Sequence, residues 1–288
     1  MADVTVAMVK DLRERTGLGI MDCKRALVDA EGDSELAIEN LRKSSGMKAA
    51  KKAGRTAAEG KIGTRIENIE NGVAVMVEVN CETDFAARDE NFVKFVETVT
   101  NKVFDSRETD IDKIMASGLE KPREELVQKI GENISIRRAE VIEGSVTSYV
   151  HTNGKIGVLV ALEGGDDELG KDIAMHIAAT NPQYVNTSDV PEDTVLKEKE
   201  IYVAQAAGSG KPTEIIEKMV QGRVRKYLAE ISLVEQVFVK DSDVKVGKLL
   251  KNASAEVTRF VRYEVGEGIE VEEVDFATEV ASQLNEDK

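Results

Sequence analysis

Two stretches of this chain alternate apolar and polar residues on either side of an Asn-Gly pair, and each then runs into a segment of helical period. The first, KIGTRIENIENGVAVMVEV, turns at Asn71-Gly72 and places Val73, Val75, Val77 and Val79 on one face. The second, EVIEGSVTSYVHTNGKIGVLVAL, turns at Asn153-Gly154, 82 residues later, and does the same with Ile156, Val158, Val160 and Leu162. Asn-Gly supplies the positive φ angles a tight hairpin demands, and alternation gives each strand one apolar face. A lone hairpin is barely stable, so each needs cover. The cover follows in sequence: Phe92, Val93, Val96, Val99 and Val103 fall at helical spacing, and DDELGKDIAMHIAAT predicts a second helix ending near Pro182. KPREELVQKIG supplies a further helix, with Pro122 suited to its first turn. The pattern therefore predicts an α+β core of two related hairpin-plus-helix subdomains with antiparallel sheets.

Three other regions flank or interrupt that core. The first 45 residues read as three short helices. Met8, Val9 and Leu12 share one face before Gly17 and Gly19; Ile20, Met21, Cys23, Ala26 and Leu27 line a second; Ser34 can cap a third carrying Leu36, Ala37, Ile38 and Leu41. So small a module gains little from its own core, which suits it to docking. The following RKSSGMKAAKKAGRTAAEG reads as a solvated helical linker. Pro191 and Pro212 mark helix starts around 191–207 and 212–230, and the second helix carries only a narrow stripe of Ile216, Met219, Val220, Val224, Tyr227 and Leu228. Two such helices joined by AGSGKP predict a protruding helical hairpin. The chain returns through a short helix at VGKLLKNA and a strand at EVTRFVRYEVGEG, and a last amphipathic segment spans Asp275 to Leu284. The resulting division is 1–55, three-helix domain and linker; 56–143, first core subdomain; 144–182 and 231–270, second core subdomain; 183–230, helical hairpin; 271–288, C-terminal helical module.

Composition and motifs remove most function classes. No apolar stretch approaches the roughly 20 residues that span a bilayer, and the N-terminus carries no targeting pattern, so the expected location is cytoplasmic with no membrane partner. The net charge of −15 opposes a nucleic-acid-wrapping role. Six basic residues from Arg42 to Arg55 could form an RNA patch, but no aromatic residues interleave with them to stack bases. Cys23 and Cys81 are far apart and fit neither a zinc site nor a disulfide framework. GSGKP fails as a phosphate loop, because Gln205 stands where the first glycine belongs and Pro212 where the hydroxyl belongs. DSDVKVG fails as a calcium loop, with Lys245 at a ligand position. His176, in IAMHIAA, reads as a helix-packing residue, whereas His151 beside a hairpin turn is as well suited to a partner contact. No convergent acid, base, nucleophile or metal set emerges, and the expectation is a protein that is not an enzyme and holds no cofactor.

One connection is anomalous. NCETDFAARDENF follows the second strand of the first hairpin, and a chain with seven Phe and no Trp spends Phe85 there, beside Asp84. Phe85 could fold inward as a staple onto the helix that starts near Asp89. The residues alone favour that inward reading, and the alternative is a ring that faces a partner.

Taken together, MVKDLRERTGLGIMDCKRAL with GDSELAIENLRKS, VEVNCETDFAARDENF, IGENISIRRAE, HIAATNPQYV, SGKPTEIIEKMVQGR and FVRYEVGEGIE resemble, in one order along the whole chain, the bacterial translation elongation factor Ts family. That resemblance implies a ubiquitin-associated-like three-helix domain, a two-subdomain α+β core, an inserted coiled-coil hairpin and a C-terminal helix. It also implies a guanine-nucleotide exchange factor that forms a heterodimer with elongation factor Tu and acts on the Mg-GDP held by that partner. The family's Thr-Asp-Phe falls on Thr83, Asp84 and Phe85, which would intrude between two helices of elongation factor Tu near its magnesium and phosphate elements. Ala86 stands where the family commonly has Val. The N-terminal contact surface maps onto Leu12, Ile20, Met21 and Lys24, with Ile20 replacing a frequent Met, and Ile130, Gly131 and His151 correspond to core surfaces that reach the partner elsewhere. The competing expectation is a helical scaffold that holds a partner without accelerating nucleotide release.

Overall fold

The computed structural model describes residues 4–67, 72–207 and 212–270. Three helices open the chain: α1 (Val6–Thr16), α2 (Ile20–Asp29) and α3 (Ser34–Lys52). Val9, Leu12, Cys23, Ala26, Leu27, Ala37 and Leu41 form their small core. Asp33, not Ser34, caps α3, its carboxylate accepting from the Glu35 and Leu36 amides. The helix then continues through the stretch read as a solvated linker. Ser45 and Ala49 are buried on one face, Ala49 within the main core, and α3 packs along the later helix Glu120–Ile130. The small side chains of Ser45 and Ala49 permit that approach.

The core begins with β1 (Glu59–Glu67) and β2 (Val73–Cys81), which pair antiparallel. Asn71 of the expected first turn lies outside the described residues. A short helix α4 (Asp84–Arg88) leads into α5 (Glu90–Ser106), α6 (Ile111–Ile114) and α7 (Glu120–Ile130), and β3 (Ser135–Glu143) completes a sheet of order β1-β2-β3. The second unit pairs β4 (Val146–Val150) with β5 (Ile156–Glu163) and adds helix α8 (Asp167–Thr180). Gly154, at φ +73°, sits in its turn, which is closed by the His151 amide donating to Ile156 (2.9 Å). Helices α9 (Glu192–Ala207) and α10 (Thr213–Ile231) pack on each other as an inserted hairpin. The chain returns through β6 (Val237–Phe238), β7 (Asp241–Lys245), α11 (Val246–Asn252) and β8 (Glu256–Glu264), which pairs with β5 to give the order β4-β5-β8. The expected segment from Asp275 to Leu284 lies outside the described residues.

The two sheets stack face to face between helices. Val75, Val77 and Val79 bury against α5 and α7, and Val158, Val160 and Leu162 against α8 and α11. The opposite faces meet each other: Ile62, Ala74, Met76 and Ile142 oppose Val146, Leu159, Ala161 and Tyr263. Both central strands are therefore buried on both sides, which is why VAVMVEV and IGVLVAL read as nearly unbroken apolar runs. Gly157 lets the sheets close, since a Cβ there would lie 2.5 Å from Ile62 Cγ2. Glu78 is buried at the end of this interface. Burial alone would raise its carboxyl pKa, but bonds from the Gly266 amide (2.9 Å) and Arg137 (3.0 Å), with the Arg138 charge, outweigh that and hold it below the usual range. The same bonds fix the end of β8 to the first sheet.

Candidate partner-binding site at the Asp84-Phe85 helix

The connection after β2 is a formed helical turn. Thr83 caps α4 with extended backbone, and its hydroxyl accepts from the Ala86 amide (3.2 Å). Ala86 and Ala87 point inward and join the core of the first subdomain. Their small side chains let so short a helix sit against β1 and β2. The outward side carries Phe85, 80 % exposed, and Asp84, whose carboxylate pairs with Arg88 at 2.7 Å across one turn. Phe85 is thus no staple; Phe92, fully buried on α5, fills the core instead. Buried Ala86 is an apolar anchor for the turn with little side chain to place.

The support under this turn comes from far along the chain. After α7 ends at Gly131, in left-handed backbone of φ +86°, the Glu132 carboxylate turns onto the α4 N-terminus. It accepts from the amides of Glu82 (3.1 Å) and Thr83 (2.9 Å) and from the Thr83 hydroxyl (2.6 Å). Glu82 returns the contact by accepting from the Asn133 amide (2.6 Å), and Asn133 donates to the Arg55 carbonyl (2.8 Å) at the end of the N-terminal module. On the other side, Asp89 caps α5, and Lys129 of α7 donates to Asn91 (2.9 Å). Beneath the turn the Cys81 thiol donates to the Thr83 carbonyl (3.2 Å). Burial, together with the charges of Glu132, Glu59 and Glu82, pushes its pKa up to about 12, so it is a packed thiol and not a nucleophile.

The other expected contact residues divide. Ile20, 55 % exposed, Met21, 62 % exposed, and Lys24 form an open surface on α2. Leu12 does not join them: it is fully buried in the three-helix core, because the α1 face it occupies is the one α2 and α3 cover. Ile130 is half-buried against the first subdomain's core, and Gly131 is the helix cap that precedes Glu132. His151 is exposed at the β4–β5 turn, where its Nδ1 meets the Tyr149 hydroxyl (2.9 Å), and it lines a shallow cleft with Lys61 and Arg65. His176 is buried, as its apolar neighbours predict. Glu132, which braces the turn, is the contact that no sequence pattern marks. Fifty positions separate it from Glu82, and no local pattern joins them.

Among the described residues no helix is long and apolar enough to cross a membrane. The family model described as elongation factor TS matches residues 82–267. The chain is 62% identical over 285 residues to elongation factor Ts of Hahella chejuensis, covering 99% of each chain. It is 59% identical to elongation factor Ts of Marinobacter nauticus, covering 98% of each, and 57% identical to that of Saccharophagus degradans, again covering 98% of each. With an ordered Thr83-Asp84-Phe85 turn inside the matched region and similarity along nearly its whole length, the chain belongs to the elongation factor Ts family of bacterial translation elongation factors.

Proposed function

We propose that this protein binds elongation factor Tu carrying GDP and promotes GDP release and its exchange for GTP, with the Asp84-Phe85 turn as the inserted element. The observation that carries this reading is the exposed ring of Phe85 on a turn whose inner face is anchored in the core. A large apolar side chain held in water by a rigid support is a tool for entering another apolar surface. Burying a phenyl ring releases up to about 3 kcal/mol. That is about a hundredfold in an equilibrium or a rate.

In this mechanism Phe85 wedges between helices of the partner, and Asp84 disturbs the hydrogen bonds that support the partner's magnesium. Arg88 does not prevent that, because an exposed ion pair is worth little and is readily exchanged. Loss of the cation weakens the hold on the diphosphate, whose charge it neutralises. Ile20, Met21 and Lys24 serve as a second contact that keeps the factor attached, and Ile130, Gly131 and His151 extend the contact along the core. The protein itself acts without a catalytic acid or base, without metal or cofactor, in the cytoplasm and as a heterodimer with its partner.

Phe85→Ala tests the assignment. The ring is 80 % exposed, so stability should change by less than about 0.5 kcal/mol. Catalysed release of a fluorescent GDP from elongation factor Tu should slow by about tenfold to a hundredfold. Wild-type release by a folded Phe85→Ala protein would remove the wedge.

A further inference from the structure

We infer that Glu132 is a positioning residue for exchange: its carboxylate, clamped on the N-terminus of the Asp84-Phe85 helix, sets the direction in which Phe85 points. The inference rests on the exchange reading above.

A helix of only five residues cannot hold itself in water, because nucleation is unfavourable and its first amides have no internal partner. Something outside must fix it. From below, Ala86 and Ala87 provide small apolar anchors, which limit how deep the turn sits but allow it to rotate. From the front, one carboxylate takes three donors: the Glu82 and Thr83 amides and the Thr83 hydroxyl. Three bonds to one rigid group define an orientation as well as a distance. The hydroxyl that donates to Glu132 also accepts from the Ala86 amide, so Glu132 fixes the rotamer in which Thr83 caps the helix. Glu132 is in turn held by its place after the α7 cap, with the Asn133 amide donating back to Glu82. The direction of the Phe85 ring is therefore transmitted from α7 through one side chain.

Removing the carboxylate leaves the amides of Glu82 and Thr83 to water and frees the turn to rotate. The wedge then spends part of its time misdirected, and that cost falls on the inserted state, while the α2 surface still attaches the protein. Glu132→Ala should lower the maximal rate of GDP release from elongation factor Tu by about tenfold, the worth of one or two hydrogen bonds, with half-saturation moved less than about threefold. Glu132→Gln should restore most of the rate, since its oxygen can accept from both amides and its amide can donate to the Thr83 hydroxyl. In a double-mutant cycle, Glu132→Ala should cost almost nothing once Phe85 is already replaced by Ala, because Glu132 acts through that ring.

Each outcome decides. If Phe85→Ala itself exchanges normally, the exchange reading falls and takes this inference with it. If Phe85→Ala is slow but Glu132→Ala is as fast as wild type, or slows Phe85→Ala further by its full factor, the positioning role alone is wrong. Should Glu132→Ala not fold, Glu132→Asp, whose carboxylate is one methylene too short to hold all three donors, carries the cycle: release should slow, with no further loss on top of Phe85→Ala, and wild-type release by a folded Glu132→Asp, or a loss that persists with Phe85→Ala, overturns the role.

Discussion

Both ring nitrogens of buried His176 are engaged, and their partners define its charge. The Val239 amide donates to Nδ1 (3.2 Å), so Nδ1 is unprotonated and Nε2 donates to Gln236 (2.9 Å). A proton on Nδ1 would face that amide hydrogen. Burial lowers the pKa of the ring, and the Gln236 contact only partly offsets it. The unfolded chain then binds more protons than the folded one. The contribution of His176 to stability is full above its unfolded pKa of about 6.5 and is lost as pH falls through the depressed folded value. Urea midpoints measured from about pH 7 to 5 should fall in the wild type, and His176→Asn, less stable at the upper end, should fall less steeply. An unchanged slope would acquit the ring. The packing role of His176 was legible from IAMHIAA alone, because apolar neighbours on both sides leave a helical side chain nowhere to go but inward. The exposure of Phe85 was not legible from the residues alone. An aromatic ring beside a helix start can turn either way, and what decides is whether Ala86 and Ala87 or Phe85 takes the inner face.

At the scale of elements, period-two alternation around Asn-Gly pairs located β1, β2, β4 and β5, helical patterns located α5 and α8, and proline starts located α9 and α10. What periodicity could not express is the second partner of each sheet. Alternation predicts one covered face, whereas β2 and β5 are covered on both, so Met76 and Leu159 are core residues as fully as Val77 and Val158. Gly157 is where that packing is tightest: a Cβ there would meet Ile62 Cγ2 at 2.5 Å and Met76 Sδ at 2.9 Å. Gly157→Val should destabilise the protein by about 1–3 kcal/mol through overpacking, read as a lower urea midpoint. A neutral result would mean that the sheets can part at little cost. The burial of the far end of α3, expected to be a solvated helical linker, escaped for a related reason. Lys, Ala and Gly read as solvated, but a stripe of Ser45 and Ala49 only four residues apart is enough to lie on α7. That contact makes α7 a shared support: it carries the N-terminal module on one side and, through Lys129 and Glu132, the two helices beside the wedge.

For the molecule as a whole, the parts proposed to touch elongation factor Tu stand on one connected frame, with α2 joined through α3 to α7 and α7 to the Phe85 turn. A frame of this kind can convert binding energy at one surface into insertion at another. The logic is linkage: if this protein and GDP favour different conformations of the partner, each weakens the other's binding by the same factor, with tenfold for every ~1.4 kcal/mol. A scaffold that merely held the partner would show binding without that factor. The domain boundaries and the C-terminal module were read from sequence, and residues 271–288 lie outside the described part of the chain. The most direct measurement is stopped-flow release of a fluorescent GDP from elongation factor Tu on mixing with the wild-type protein, with complex formation followed in parallel. Release should accelerate with added protein and saturate as the complex forms; complex formation with an unchanged release rate would rule out exchange by this protein.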